Sequence, residues 1–351
     1  NRAVDARVEP GSSFKPLYYA AAVEEEEITP ATMIYDSPVV FWNDDGTPYT
    51  PKNYRGEWSG PVLARFALAR SMNVPSLRIL DRVGFDAALD TASRLLGIPE
   101  DERVQRNLVR RYPVGLGIVE VAPIEMAKAF ATFPNQGKEV VPIGIRYIED
   151  RNGRIILEPE KQMRLEQRER GEDTQVLSPQ TAYIMTDMLQ TTLESGTLRH
   201  LPRYYFDEDF DQPVGGKTGT TQNWSDAWTV GFTPYYTTAL WFGFDQGGTN
   251  SLGTNQTGAV TTGPVWGRYM NAIHQDLPRR EFARPADGLR TVTVSERSGK
   301  LPTEDYDGPT REEIFISGTE PREFDTLEDF ESQQRPLLVD RLRDNIENRS
   351  F

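Results

Sequence analysis

The 351-residue chain contains no cysteine. That excludes disulfides, thiol nucleophiles and thiolate metal sites. It selects no compartment, because a chain without cysteine suits oxidising and reducing surroundings alike. Histidine is almost as scarce, with His200 and His274 alone. No group of histidines and carboxylates has metal-ligand spacing, so no metal and no cofactor is implied, and a Ser-His-Asp triad is a poor fit. Each lone histidine reads as a surface or satisfied residue. Positive charge is also in deficit: 39 Lys and Arg stand against 53 Asp and Glu, for a net −14. Phosphate binding needs a clustered basic surface, so a nucleic-acid partner is disfavoured. No run approaches the length of a membrane span, about twenty apolar residues. The opening "NRAVDARVEPGSS" has neither an initiator methionine nor a targeting pattern. It reads as part of a longer chain, with any membrane attachment expected in a segment outside this sequence.

At this length a globular fold buries most of its apolar surface without staples. After Pro10-Gly11, "SSFKPLYYAAAVEEEEI" reads as a helix, and the Gly-, Pro- and Asn-rich stretch 36–60 as an ordered loop. The region 61–134 reads as mostly helical, with Pro75 marking a break between two helices. Residues 139–158 alternate around Arg151-Asn152-Gly153, which predicts a hairpin. Another helix is expected from Ser178, as N-cap, to Gly196. "PVGGKTGTT", "DAWTVGFT" and "YTTALWFGFD" predict an antiparallel meander within 213–245, and "GPVWGRYMNAIHQDL" a last core helix. From about 280 the periodicity is weak, and a peripheral extension is expected. The fold class is therefore α+β: an antiparallel sheet flanked by helices, with a mostly helical subdomain.

"PGSSFKP" at 10–16 is the first stretch that carries chemistry. On a helix, residues three apart share a face and residues two apart do not. Ser12, not Ser13, is therefore the serine that faces Lys15. Proline is tolerated only in a first helical turn, so Pro16 requires the helix to start close to Ser12. The hydroxyl then sits at the positive end of the helix dipole, beside free backbone N–H groups suited to an oxyanion. A serine nucleophile needs a base. A lysine serves only if its pKa falls well below about 10.4, through burial or a second cation. The plain alternative is an N-cap serine with a solvated lysine, and Ser-x-x-Lys arises about once by chance at this length.

Two further motifs change that balance. Ser71-Met72-Asn73 stands at the helix junction, and Lys217-Thr218-Gly219 on the first strand of the meander. Lys-Thr-Gly by chance is expected in under about one such chain in ten. Ser-x-x-Lys, Ser-x-Asn and Lys-Thr-Gly in this order are the signature of penicillin-binding proteins and serine β-lactamases. The chain resembles the transpeptidase domain of class A, bifunctional penicillin-binding proteins in particular. "NRAVDARVEPGSSFKPLYYAAAVE", "ALARSMNVPSLRIL", "VGLGIVEVAPIEMAKAFATFPNQG", "GGKTGTTQNWSDAWTVGFTP" and "IFISGTEP" carry the likeness, over roughly 1–320.

The resemblance implies that Ser12 is the acylated nucleophile and Lys15 its general base. Ser71 is implied as a proton relay between Lys15, Lys217 and the leaving amine. Asn73 holds a substrate amide and orients Lys15, and Lys217 draws in the substrate carboxylate and depresses Lys15. Thr218 and Thr220 contact that carboxylate, and the backbone N–H groups of Ser12 and Thr220 form the oxyanion hole. Gly219, lacking a side chain, leaves room for substrate to lie along the strand. The plain alternatives are that Ser71 and Asn73 cap a helix break and that the threonines are ordinary strand residues. Trp224, Asp226 and Trp228 read as shaping the turn and core.

The expected domain is 1–279, with its helical subdomain at 61–134 and sheet plus final helix at 213–277, followed by an extension at 280–351. The family's glycosyltransferase domain, membrane anchor and N-terminal sheet strands are expected to lie outside this sequence. The implied partners are peptidoglycan stem peptides ending in D-Ala-D-Ala, β-lactams and cell-wall synthesis proteins, at an extracytoplasmic location. D,D-carboxypeptidase activity and a non-turnover β-lactam sensor or scaffold stay open. A β-lactamase would need a deacylating carboxylate on a loop after Ser-x-Asn, and Glu120 and Glu125 lack that pattern.

Overall fold

The computed structural model describes residues 1–54, 56–245 and 250–326. A short helix, α1 (Arg2–Asp5), precedes a tight 3-10 turn over Gly11–Phe14 that runs straight into α2 (Lys15–Glu24). The α-helix thus starts at Lys15, not near Ser12, with Pro16 in its first turn. Every residue of α2 from Lys15 to Val23 is buried. An apolar, Ala-rich helix without a polar face belongs in a core, and α2 packs against α4, α5 and α8, named below.

β1 (Met33–Asp36) pairs antiparallel with β4 (Gly60–Leu63), and a small hairpin, β2 (Phe41–Trp42) with β3 (Pro48–Tyr49), lies within the expected loop. Four helices fill the predicted helical region: α3 (Ala64–Ala69), α4 (Asn73–Val83), α5 (Phe85–Leu96) and α6 (Pro123–Thr132). The break between α3 and α4 falls at Arg70–Met72 instead of at Pro75, which sits inside the first turn of α4 where its missing N–H costs nothing.

The predicted hairpin shrinks to β5 (Ile148–Glu149) and β6 (Ile155–Leu157), every residue of which is exposed. α7 (Pro159–Arg170), which the alternation did not foretell, follows it and buries no residue. This excursion closes on itself: Lys138 bridges Gln175, and Val176 N–H reaches Gly137 O at 2.9 Å. α8 (Pro179–Glu194) begins as expected, the Ser178 hydroxyl accepting from Thr181 N–H, and leads to α9 (Leu201–Tyr204).

The meander is β7 (Gly215–Thr220), β8 (Ala227–Phe232) and β9 (Thr237–Phe242), in register Thr218↔Thr229↔Leu240. All of β8 is buried, and α10 (Thr262–Ile273) lays Trp266 against Gly231. One core spans α2, α4, α5, α6, α8 and the sheet, and a smaller one gathers Leu198, Leu201, Trp266 and Met270.

The extension expected from about 280, where periodicity is weak, carries regular structure. β10 (Leu289–Ser295) and β11 (Thr310–Ile316) form a seven-residue antiparallel ladder. Val294 and Phe315 pack on Ala31, and Glu313 is wholly buried. Residues 327–351 of that extension lie outside the described residues.

Candidate active site

The turn at Pro10–Gly11 lies directly on β7. Gly11 has φ +54°, a conformation that favours glycine, and a Cβ there would stand 2.6 Å from Thr220 O. Opposite it, a Cβ on Gly219 would overlap the Pro10 carbonyl and meet Ser13 Oγ at 2.9 Å. The space a Gly219 side chain would take is therefore filled by the protein's own turn. This close packing separates the two serines. Ser13 is buried and its hydroxyl donates to Pro10 O at 2.7 Å. Ser12 is half-buried, and among the described residues its hydroxyl has no hydrogen-bond partner.

The backbone of β7 points two ways. Thr221 N–H bonds to Asp226 O, and an antiparallel ladder alternates, so Lys217 and Gly219 direct their amides to β8. Thr218 and Thr220 direct theirs to the free edge, where Thr218 O takes a bond from Lys217 Nζ and Thr220 lies beside Gly11. Ser12 and the outward amide of Thr220 are thus neighbours.

Ser71 occupies a strained place. Met72 N–H reaches back to Ala67 O and Ser71 N–H to Leu68 O, a Schellman ending of α3 with Ser71 at the left-handed position, φ +61°. Glycine is usual there, and a residue with a side chain costs about 1–2 kcal/mol. The strain turns the serine so that both of its ends serve lysines. Its carbonyl accepts from Lys15 Nζ at 2.9 Å, and its hydroxyl accepts from Lys217 Nζ at 2.7 Å. Lys15 also donates to Met72 O (3.1 Å) and Asn73 Oδ1 (2.8 Å). Asn73 is held in turn, its amide donating to Lys52 O and its N–H to Asn53 Oδ1.

Both lysines are fully buried. Burial pushes Lys15 well below the ordinary lysine range, and the nearby Lys217 charge adds to the drop. Burial brings Lys217 down to about 7. The Thr218 hydroxyl donates to Thr197 Oγ1 at 2.9 Å, and Thr220 Oγ1 accepts from Gly258 N–H at 3.1 Å, keeping its own proton to give. Lys15, Asn73, Ser71 and Lys217 are thus joined by hydrogen bonds, Thr218 follows Lys217 on β7, and Ser12 lies on the turn beside Thr220, while Gly219 faces that turn. Glu125 is engaged elsewhere, bonded to Arg106 and to Ala122 N–H at the start of α6.

Sequence reasoning missed Thr197, Asn53 and Lys52. The Gly-Thr after α8 marked only a helix end, and an asparagine capping a helix twenty residues away leaves no local pattern.

A sequence model of the "Penicillin binding protein transpeptidase domain" matches residues 1–259, the stretch that holds this whole constellation. The chain belongs to that family. A second model, "Penicillin-binding protein 1A, C-terminal domain", matches residues 285–329, the region of the β10–β11 hairpin. Penicillin-binding protein 1A of Aquifex aeolicus is 32% identical over 323 residues, covering 92% of this chain and 40% of that one. Its counterpart from Clostridium botulinum (strain Hall) is 35% identical over 330 residues, covering 90% and 37%. The chain thus spans about two fifths of the length of these relatives. Among solved structures, penicillin-binding protein 1A from Haemophilus influenzae superimposes with TM-score 0.78 at 27% identity, covering 93% of this chain and 50% of that one. PonA1 of Mycobacterium tuberculosis, solved with penicillin V, shares the fold with TM-score 0.65 at 23% identity, covering 82% of this chain and 74% of that one. The mixed α and β architecture is that of the penicillin-binding transpeptidases.

Proposed function

We propose that this chain is a D,D-transpeptidase domain that cross-links peptidoglycan stem peptides through a serine acyl-enzyme, and that β-lactams acylate the same serine. The observation that supports the reading is one unbonded hydroxyl, Ser12, three residues before Lys15, with Lys15 and Lys217 both buried and both bonded to Ser71. A neutral Lys15 amine donates only two of its three present hydrogen bonds. The longest, to Met72 O, is the one released as its lone pair takes the Ser12 proton. Ser12 Oγ attacks the carbonyl of the penultimate D-alanine, and its C–N bond to the terminal D-alanine breaks. The leaving nitrogen takes a proton from the Ser71 hydroxyl, which is refilled along the lysine pair. The amides of Ser12 and Thr220 stabilise the oxyanion. Lys217, Thr218 and Thr220 hold the terminal carboxylate, and Asn73 keeps Lys15 in place. An amine of a second stem then takes the acyl group and frees Ser12.

The protein acts in this reading outside the cytoplasm, as part of a longer, membrane-attached chain that also polymerises glycan. Among the described residues no helix is long and apolar enough to cross a membrane. A fluorescent penicillin is expected to label the protein, Ser12→Ala to lose the label and Ser13→Ala to retain most of it. Undiminished labelling of Ser12→Ala would sink the assignment. Mass spectrometry of products from a stem-peptide donor, with and without an acceptor amine, separates the outcomes. A cross-linked dimer marks a transpeptidase, hydrolysed donor alone a carboxypeptidase, and no D-alanine release a sensor or scaffold.

A further inference from the structure

Thr197 belongs to none of the three motifs, yet it is bonded to both walls of the cleft. Its N–H donates to Ala69 O at 3.1 Å, on the last turn of α3, just before Ser71. Its hydroxyl stands 2.9 Å from that of Thr218, next in the chain to Lys217. Thr218 is buried, with 5% of its surface exposed, and among the described residues Thr197 is the partner of its hydroxyl.

A hydroxyl carries one proton. As arranged here, Thr218 gives that proton to Thr197 and presents only lone pairs to the cleft. A carboxylate is acceptor-only, so an incoming one finds no donor at Thr218. Among the described residues nothing accepts the Thr197 proton. If the Thr197 side chain turns slightly so that its proton points at Thr218 Oγ1, the bond reverses. Thr218 then turns its own proton to the carboxylate, and both hydroxyls remain satisfied.

We infer that Thr197 is a positioning residue for the substrate's terminal carboxylate, acting through Thr218 by reversal of their shared hydrogen bond. The inference deepens the proposed reading of the site and rests on it. Two hydroxyls in line that end on a charge polarise one another, so the outer one contributes although it does not touch the ligand. The bond to Ala69 O fixes the donor relative to Ser71, so the carboxylate is held in register with the relay serine.

The test measures the second-order rate of Ser12 acylation by benzylpenicillin and by its methyl ester, in the full chain. Acylation of the unaltered protein by benzylpenicillin reports on the site reading, and its absence overturns both claims. Thr197→Val, which keeps shape and loses the hydroxyl, is expected to slow the acid about tenfold, the worth of one hydrogen bond to a charge. The ester rate is expected to stay within about twofold, and Thr197→Ser to restore the acid rate. Thr218→Val is expected to show the same acid-specific loss, with the double variant no worse than either single one. Equal losses for acid and ester, unchanged rates for both, or losses that multiply in the double variant would overturn the inference. Should Thr197→Val not fold, Thr197→Ala gives the same acid-to-ester ratio.

Discussion

Lys15 and Lys217 approach Ser71 from its two ends, one at the carbonyl and one at the hydroxyl, and the proposed reaction needs them in opposite charge states. As general base, Lys15 works when neutral, the form present above its lowered pKa. As carboxylate anchor, Lys217 works when protonated, the form present below about pH 7. The rate of acylation at limiting ligand is therefore expected to rise with pH on the Lys15 limb and fall above about 7 on the Lys217 limb. Lys217→Arg keeps its charge throughout, so its alkaline limb is expected to move upward while the maximum drops. A pH–rate profile with an unmoved alkaline limb would remove Lys217 from this role. The same shift acts on folding. The unfolded chain holds this proton up to 10.5 and the folded chain only to about 7, so the burden is full below 7 and lifts as pH climbs through that window. The difference between Ser12 and Ser13 was legible in their spacing from Lys15. The packing of their turn against Gly219 was not, because it joins segments two hundred residues apart.

Among the elements, the contact of the Gly11–Phe14 turn with β7 decides where Ser12 stands, and Gly219 is its tightest point. Gly219→Ala would force its Cβ into the Pro10 carbonyl, which is backbone and cannot swing aside. Overpacking of this kind costs about 1–3 kcal/mol. Urea unfolding of the variant is expected to show that loss, and its acylation rate to fall at least tenfold as the turn is pushed off the strand. A variant that keeps the full rate would show that the turn does not place Ser12. Lys-Thr-Gly was legible as a strand through the runs that follow it, "DAWTVGFT" and "YTTALWFGFD", whose Thr, Val, Trp, Phe and Tyr favour a meander. The end of α3 was not. Proline looked like the breaker, whereas Pro75 fits a first turn, and the true stop is a serine in the position glycine usually takes.

For the whole molecule, the C-terminal hairpin is bolted to the catalytic body by a buried charge. Arg65 on α3 pairs with Glu313 of β11 through both nitrogens of one face of its guanidinium. It also reaches Asp187 and, at 3.0 Å, Thr191 on α8. Removing one partner of a buried pair leaves the other uncompensated, at about 3–5 kcal/mol. Glu313→Ala is expected to lower the unfolding free energy measured in urea by that amount, shifting the midpoint down, and Glu313→Gln to lose less because it keeps an acceptor. An unchanged midpoint for Glu313→Ala would mean that Arg65 is satisfied by α8 alone. The hairpin escaped the sequence reading for this reason: "TREEIFI" points a glutamate inward, and an inward charge breaks the alternation that marks a strand.

The excursion that leaves at Lys138 and returns at Gln175 has a different standing. Its hairpin and its helix α7 bury nothing, and its two ends are already clasped. Chain added to or cut from such a loop shifts its closure entropy only slowly with length. This is the place where the chain can be lengthened or trimmed at the least cost to the core.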